Sequence, residues 1–150
     1  MKKLVSFVLA VCLIASVSSV FAAGSEIIID GEKATIAEGM GEVTMVKDRN
    51  FVPIRFLLEY FKYSVTWQET EQLVFGSGPN GEIFVLQVGS PYMFFSKSQE
   101  SAMQKIEMDV EPFLNEDEDR TYVPLRFIAE AIGYDVSWEE ATDTAVLTKK

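Results

Sequence analysis

What most constrains this chain is a long segment that occurs twice. Arg49-Asn-Phe-Val-Pro-Ile-Arg-Phe-Leu-Leu-Glu-Tyr-Phe-Lys-Tyr-Ser-Val-Thr-Trp67 returns 71 positions later, without a gap, as Arg120-Thr-Tyr-Val-Pro-Leu-Arg-Phe-Ile-Ala-Glu-Ala-Ile-Gly-Tyr-Asp-Val-Ser-Trp138. Most differences are conservative, so the match reads as two diverged copies of one unit. The chain is expected to fold around that unit twice, with internal repeats at about residues 26–75 and 82–148.

Each copy encodes strand, helix and strand. Pro53 and Pro124 stand where a helix begins, since proline presets φ and its missing N–H belongs to the unpaired first turn. Ile54, Leu57, Leu58 and Phe61 follow at helical spacing, and Leu125, Ile128, Ala129 and Ile132 repeat it. At about ten residues neither helix is stable alone, so both stripes need a packing surface. Gly133 suits the left-handed residue that ends a helix, and Lys62 occupies that place in the first copy. Tyr63, Val65, Trp67 and Tyr134, Val136, Trp138 then alternate with polar residues, the period of a half-buried strand.

Between the copies, Gly76 to Gly81 is a dense turn signal. Ile83 to Val88, the turn Gly89-Ser90-Pro91 and Tyr92 to Phe95 read as a hairpin. Ile27 to Ile29 reads as an opening strand, Thr144 to Thr148 as a closing one, and Gly39 to Gly41 as a loop. Strands outnumber helices, which predicts an α+β fold with a largely antiparallel sheet packed against two short helices. No Pro- or Ser-rich linker separates the copies, so residues 23–150 are expected to form one domain.

Residues 1–22 have the three parts of a secretory signal peptide: Lys2 and Lys3, an apolar run from Leu4 to about Ala15, and a small-residue exit before Ala23. The run is too short and too interrupted by serines for a bilayer span of about 20 residues. Cleavage after Ala22 is expected, with no stable membrane span afterwards and a secreted, extracellular location, either retained at the cell wall or released. The single cysteine, Cys12, lies in that run, and bulky Val11 makes a poor lipoprotein signal. The processed chain therefore relies on its core rather than on disulfides.

Loss of Lys2 and Lys3 takes the formal charge from −10 to −12, which disfavours nucleic acid and anionic polymers. The chain has no histidine, which removes Ser-His and Cys-His nucleophile pairs and the usual zinc and copper sites.

The repeated element Arg-(Asn/Thr)-(Phe/Tyr)-Val-Pro-(Ile/Leu)-Arg-Phe, its short helix carrying Glu, and the following Tyr-(Ser/Asp)-Val-(Thr/Ser)-Trp resemble the copper amine oxidase N-terminal-like, or stalk, domain. That family consists of exported domains found mainly in Gram-positive envelopes, usually with two such motifs. The resemblance implies a sheet packed on helices and an accessory role. It implies neither copper nor oxidation, because the oxidase chemistry of the parent enzymes sits in a separate domain with a histidine-held copper.

Candidate sites divide between structural and binding readings. Arg55 with Glu59, and Arg126 with Glu130, stand four apart opposite the apolar stripes and read as exposed intrahelical ion pairs, with a ligand-binding fork as the alternative. Asn115 to Asp119 alternates oxygen-bearing side chains but lacks the glycine and glutamate of a calcium loop, so a solvated hairpin turn is expected. Any ion there would be calcium, at about millimolar affinity or weaker. Trp67 and Trp138 read as core or sheet-face residues, with sugar stacking as the alternative. Tyr92, Phe94 and Phe95 are candidates for an exposed apolar patch.

No catalytic, cofactor or metal residue is assigned and no enzyme activity is expected. The leading function is a non-catalytic envelope module for binding or spacing, its partner an envelope polymer or protein. A small hydrolase of envelope glycans using paired carboxylates and a self-associating structural module are the alternatives.

Overall fold

A computed structural model describes residues 25–150. The leader-like segment and Cys12 lie outside the described residues. Strands β1 (Glu26–Ile29) and β2 (Glu32–Ala34) form a hairpin through Asp30-Gly31, both at positive φ, the pairing an Asp-Gly turn favours. β3 (Thr44–Val46) and β4 (Arg49–Pro53) turn likewise at Lys47-Asp48, and α1 (Ile54–Tyr60) follows directly. Five strands then run as a meander: β5 (Ser64–Gln68), β6 (Leu73–Ser77), β7 (Ile83–Gln87), β8 (Tyr92–Ser96) and β9 (Gln104–Glu107). The chain closes with β10 (Phe113–Asn115), β11 (Arg120–Pro124), α2 (Leu125–Ala131), β12 (Tyr134–Glu139) and β13 (Thr144–Lys149).

Among the described residues the fold is α+β, mostly antiparallel, with two short helices. The strands divide among three sheets rather than forming one. Their orders are β12-β13-β1-β2, β10-β11-β4-β3 and β5-β6-β7-β8-β9. Among the described residues one pairing is parallel: β1 lies beside β13, with Ile27 opposite Ala145 and Ile29 opposite Leu147.

The middle sheet carries the geometry that matters most. β4 and β11 pair antiparallel with Val52 opposite Val123, flanked by Phe51 opposite Pro124 and Pro53 opposite Tyr122. The register is centred on the two valines, so each segment meets the other in the same way.

Both prolines end their strands and cap their helices, with ψ of 123° and 115°, instead of occupying the first helical turn. A proline at a strand end removes a ladder donor where the chain leaves the sheet. The helices therefore start one residue later than expected and span seven residues each.

The helical stripes face inward as expected: Leu57, Leu58, Ile128 and Ala129 are fully buried, and Ile54 and Leu125 nearly so. Phe56, outside the predicted stripe, is buried too, because α1 packs against β4, β11 and β5 together. One core joins Ile27, Ile29, Ala145 and Leu147 of the first sheet, Val52 and Val123 of the second, and Val74, Phe84, Leu86, Met93 and Phe95 of the third. On the opposite side of the middle sheet, Phe51, Val110 and Tyr122 form a smaller cluster, with the Phe113 ring stacked on Tyr122 at 5.3 Å.

Both helices end on a left-handed residue. Lys62 has φ +65° and donates to the Glu59 carbonyl, while Tyr63 N–H reaches back to Leu58, the paired bonds of a Schellman stop. Gly133, at φ +97°, donates to the Glu130 carbonyl. A side chain held there costs about 1 kcal/mol, and a Cβ on Gly133 would meet nothing within 4 Å, so conformation alone decides the sign. Lys62→Gly is expected to raise the unfolding free energy by up to about 1 kcal/mol and Gly133→Lys to lower it by a similar amount. Urea titration of both variants checks the pair of opposite signs, and two destabilised variants would contradict it.

Candidate functional site

Among the described residues, two of the grooves beside the middle sheet each hold a tryptophan. In the first, Trp67 and Val65 of β5 and Val74 of β6 line one side, and Pro53, Ile54 and Arg55 at the start of α1 form a wall. The opposite wall comes from the other half of the chain: Leu114 of β10, then Asp119, Arg120 and Thr121 leading into β11. Glu69 stands at the rim, and the volume is about 450 Å³.

The second groove, of about 710 Å³, reproduces this arrangement with the halves exchanged. Trp138, Val136 and Ala145 stand for Trp67, Val65 and Val74. Pro124, Leu125 and Arg126 form the helix wall, Asp48, Arg49 and Asn50 the opposite wall, and Glu140 the rim. Every first-groove residue except Leu114 has its counterpart 71 positions away. The cause is the β4–β11 register, which places the start of each paired strand beside the helix that follows the other.

The charges are held in place differently. Arg49 Nε donates to Asp109 Oδ2 at 3.0 Å in the second groove, and in the first the Arg120 guanidinium donates to the Gly39 carbonyl. The Arg49 hydrogen bond, then its charge, hold the Asp109 carboxyl below its ordinary range, and the same contact raises Arg49. A carboxyl with a lowered folded pKa adds stability above its unfolded value and loses it as pH falls through the lowered one. Any contribution of this solvent-exposed pair is thus lost only in acid, below about 3.8, the ordinary value, and is small. A carboxyl NMR titration is expected to place the Asp109 midpoint below that of an unpaired aspartate, and Arg49→Gln to move it back up; no movement would contradict the pairing.

Several sequence expectations change. Neither Arg55–Glu59 nor Arg126–Glu130 is among the ion pairs of the described residues, which are Lys33–Glu26, Arg49–Asp109 and Lys150–Asp135. Both arginines line grooves instead, because the first helical turn faces the neighbouring strand start. The tryptophans keep the sheet-face half of their core-or-sheet-face reading: Trp67 is 36 % exposed and Trp138 half-buried against the core. Tyr92, Phe94 and Phe95 separate: Phe95 is in the core, Phe94 is 39 % exposed, and the half-buried Tyr92 ring lies 3.7 Å from Lys105 Nζ. Phe94 shares the outer face of the third sheet with Val85 and exposed Phe75, a patch only partly foreseen.

Asn115 to Asp119 is the β10–β11 turn, as expected. Asn115 Oδ1 accepts from Asp117 N–H at 3.2 Å, and Glu118 accepts from Tyr122 O–H at 2.6 Å. Among the described residues no three His, Cys, Asp or Glu side chains gather at ion-holding spacing, and no helix is long and apolar enough to cross a membrane.

This architecture, with open mixed-polarity grooves and a β10–β11 turn in which Asn115 and Glu118 accept local hydrogen bonds, defines the class as an α+β domain. The family model for the copper amine oxidase N-terminal domain matches residues 28–148, so the chain belongs to that family, a non-catalytic domain of amine oxidases. No curated protein and no solved structure matches.

Proposed function

We propose that this chain is an exported, non-catalytic envelope module, built from two diverged copies of one unit, that binds its partner through the two grooves. The observation that carries it is the exchange of groove walls between the halves, with the same indole, guanidinium and carboxylate types on each side. Recurrence of left-handed backbone supports the doubled unit: Asp48, Lys62 and Gln72 have positive φ, and so do Asp119, Gly133 and Asp143.

The electrostatics favour binding over hydrolysis. A general acid needs a raised carboxyl pKa, and the resolved carboxyl shifts run the other way. Burial pushes Glu82 up, but hydrogen bonds from Asn80 and backbone N–H groups leave it lowered, and Asp109 is lowered by Arg49.

Expression of the full sequence with a C-terminal tag in a Gram-positive host tests the reading. Processing before Ala23 and recovery with wall material or an envelope protein are expected. Retention in the cytoplasm, or free release into the medium with no partner, would overturn it. The outer-face patch of Phe75, Val85 and Phe94 favours self-association as a second reading, and a concentration-independent monomer in sedimentation would remove it.

A further inference from the structure

We propose that the two grooves are equivalent sites for a neutral, hydroxyl-rich glycan, each taking sugar rings against its own indole. This rests on the binding-module reading and names the ligand class of the same grooves. Volumes of about 450 and 710 Å³ are those of small-molecule sites and exceed what a single ordered solvent molecule fills. Each groove is lined by a tryptophan together with guanidinium and carboxylate groups. A sugar ring offers the same two surfaces: axial C–H groups that pack on an aromatic face, and vicinal hydroxyls that both donate and accept. Guanidinium nitrogens only donate and carboxylate oxygens only accept, so a hydroxyl set between them has a partner for each of its roles.

Charge selects a neutral ligand. In the first groove Arg55 and Arg120 are matched by Glu69 and Asp119, so a phosphate or uronate meets no net positive field, and the chain as a whole carries −10. Antiparallel pairing about Val52–Val123 relates the grooves by a local two-fold, so one straight oligosaccharide cannot fill both in the same direction. Two oligosaccharides bind each chain.

Trp67 and Trp138 are the chain's only tryptophans, so fluorescence reports each groove separately. The full chain is titrated with chitohexaose and cellohexaose, both uncharged. A saturable emission change at two equivalents per chain is expected with at least one of them. In Trp67→Phe the remaining signal comes from the second groove, and in Trp138→Phe from the first. Trp67→Ala and Trp138→Ala each weaken one of the two sites about tenfold by calorimetry, the size of one lost aromatic contact. Arg55→Gln and Arg126→Gln, at exposed positions, weaken the same sites while leaving circular dichroism unchanged. No saturable change with either sugar in the folded chain, or tighter binding of an uncharged proline-rich peptide, overturns the proposal. Wall retention without sugar binding would sink the ligand class and leave the module reading standing. Sugar binding by a chain not retained at the envelope would do the reverse.

Discussion

Phe84→Ala is expected to lower the unfolding free energy by about 3–5 kcal/mol, the cost of an aromatic cavity in a packed core. Phe84 is fully buried at the centre of the third sheet, with Gly76 on one neighbouring strand and Phe95 on the other. Gly76 lets the helix come close: a Cβ there would lie 3.2 Å from Leu58 Cδ1 and 3.4 Å from Phe84 Cβ. Removing the ring opens a cavity in the core where β7, β6 and Leu58 of α1 converge, and closing it would require main chain to move. Domains of this kind are stable by only about 5–15 kcal/mol, so the variant sits near the edge of folding. The core is continuous across all three sheets, and denaturation should remain one transition at a lower midpoint. Two separated transitions would show the meander to be an independent unit. Phe94→Ser, one strand over on the solvent side, is expected to cost under about 1 kcal/mol.

The contrast between Phe84 and Phe94 marks what a sequence can and cannot disclose. The hairpin of Ile83 to Val88 with Tyr92 to Phe95 and the spacing of Leu57, Leu58, Ile128 and Ala129 are local signals, and each reached the structure as read. Lys62 was legible because Gly133 stands at the matching position, and the backbone demands the same left-handed turn of both. The parallel contact of β1 with β13 joins residues more than a hundred positions apart, and no periodicity encodes which strand lies beside which. Trp67 and Trp138 have the alternation of buried strand residues, but the surface they face is a groove whose far wall comes from the other half of the chain. Arg55 and Arg126 look like half of an intrahelical pair for the same reason: helical spacing specifies neighbours on the helix and is silent about the strand end that faces it. The grooves were thus invisible until the β4–β11 register was known, although every residue lining them was in view.

That dependence of each half on the other sets the last expected result. Ile27→Ala with Ile29→Ala should cost about 4–8 kcal/mol, below the sum of two independent Ile→Ala changes at the upper limit because neighbouring sites do not add. Both isoleucines are almost completely buried, and β1 runs inside its sheet between β13 and β2. On one side they meet Ala145 and Leu147, themselves buried, and on the other Ile27 meets Ala34. A fragment beginning at residue 82 retains β12 and β13 but loses β1, which leaves Leu147 uncovered and one edge of β13 without its hydrogen-bond partner. It also loses β4, and with it the valine opposite Val123. Neither loss can be made good from within the fragment, so it is expected to stay unfolded by circular dichroism and to show no cooperative thermal transition. The double variant in the full chain should remain partly folded at low temperature and unfold well below the parent. A fragment 82–150 that folds cooperatively alone would show that the second half closes its own core, and the two halves would then be independent units joined by a chain.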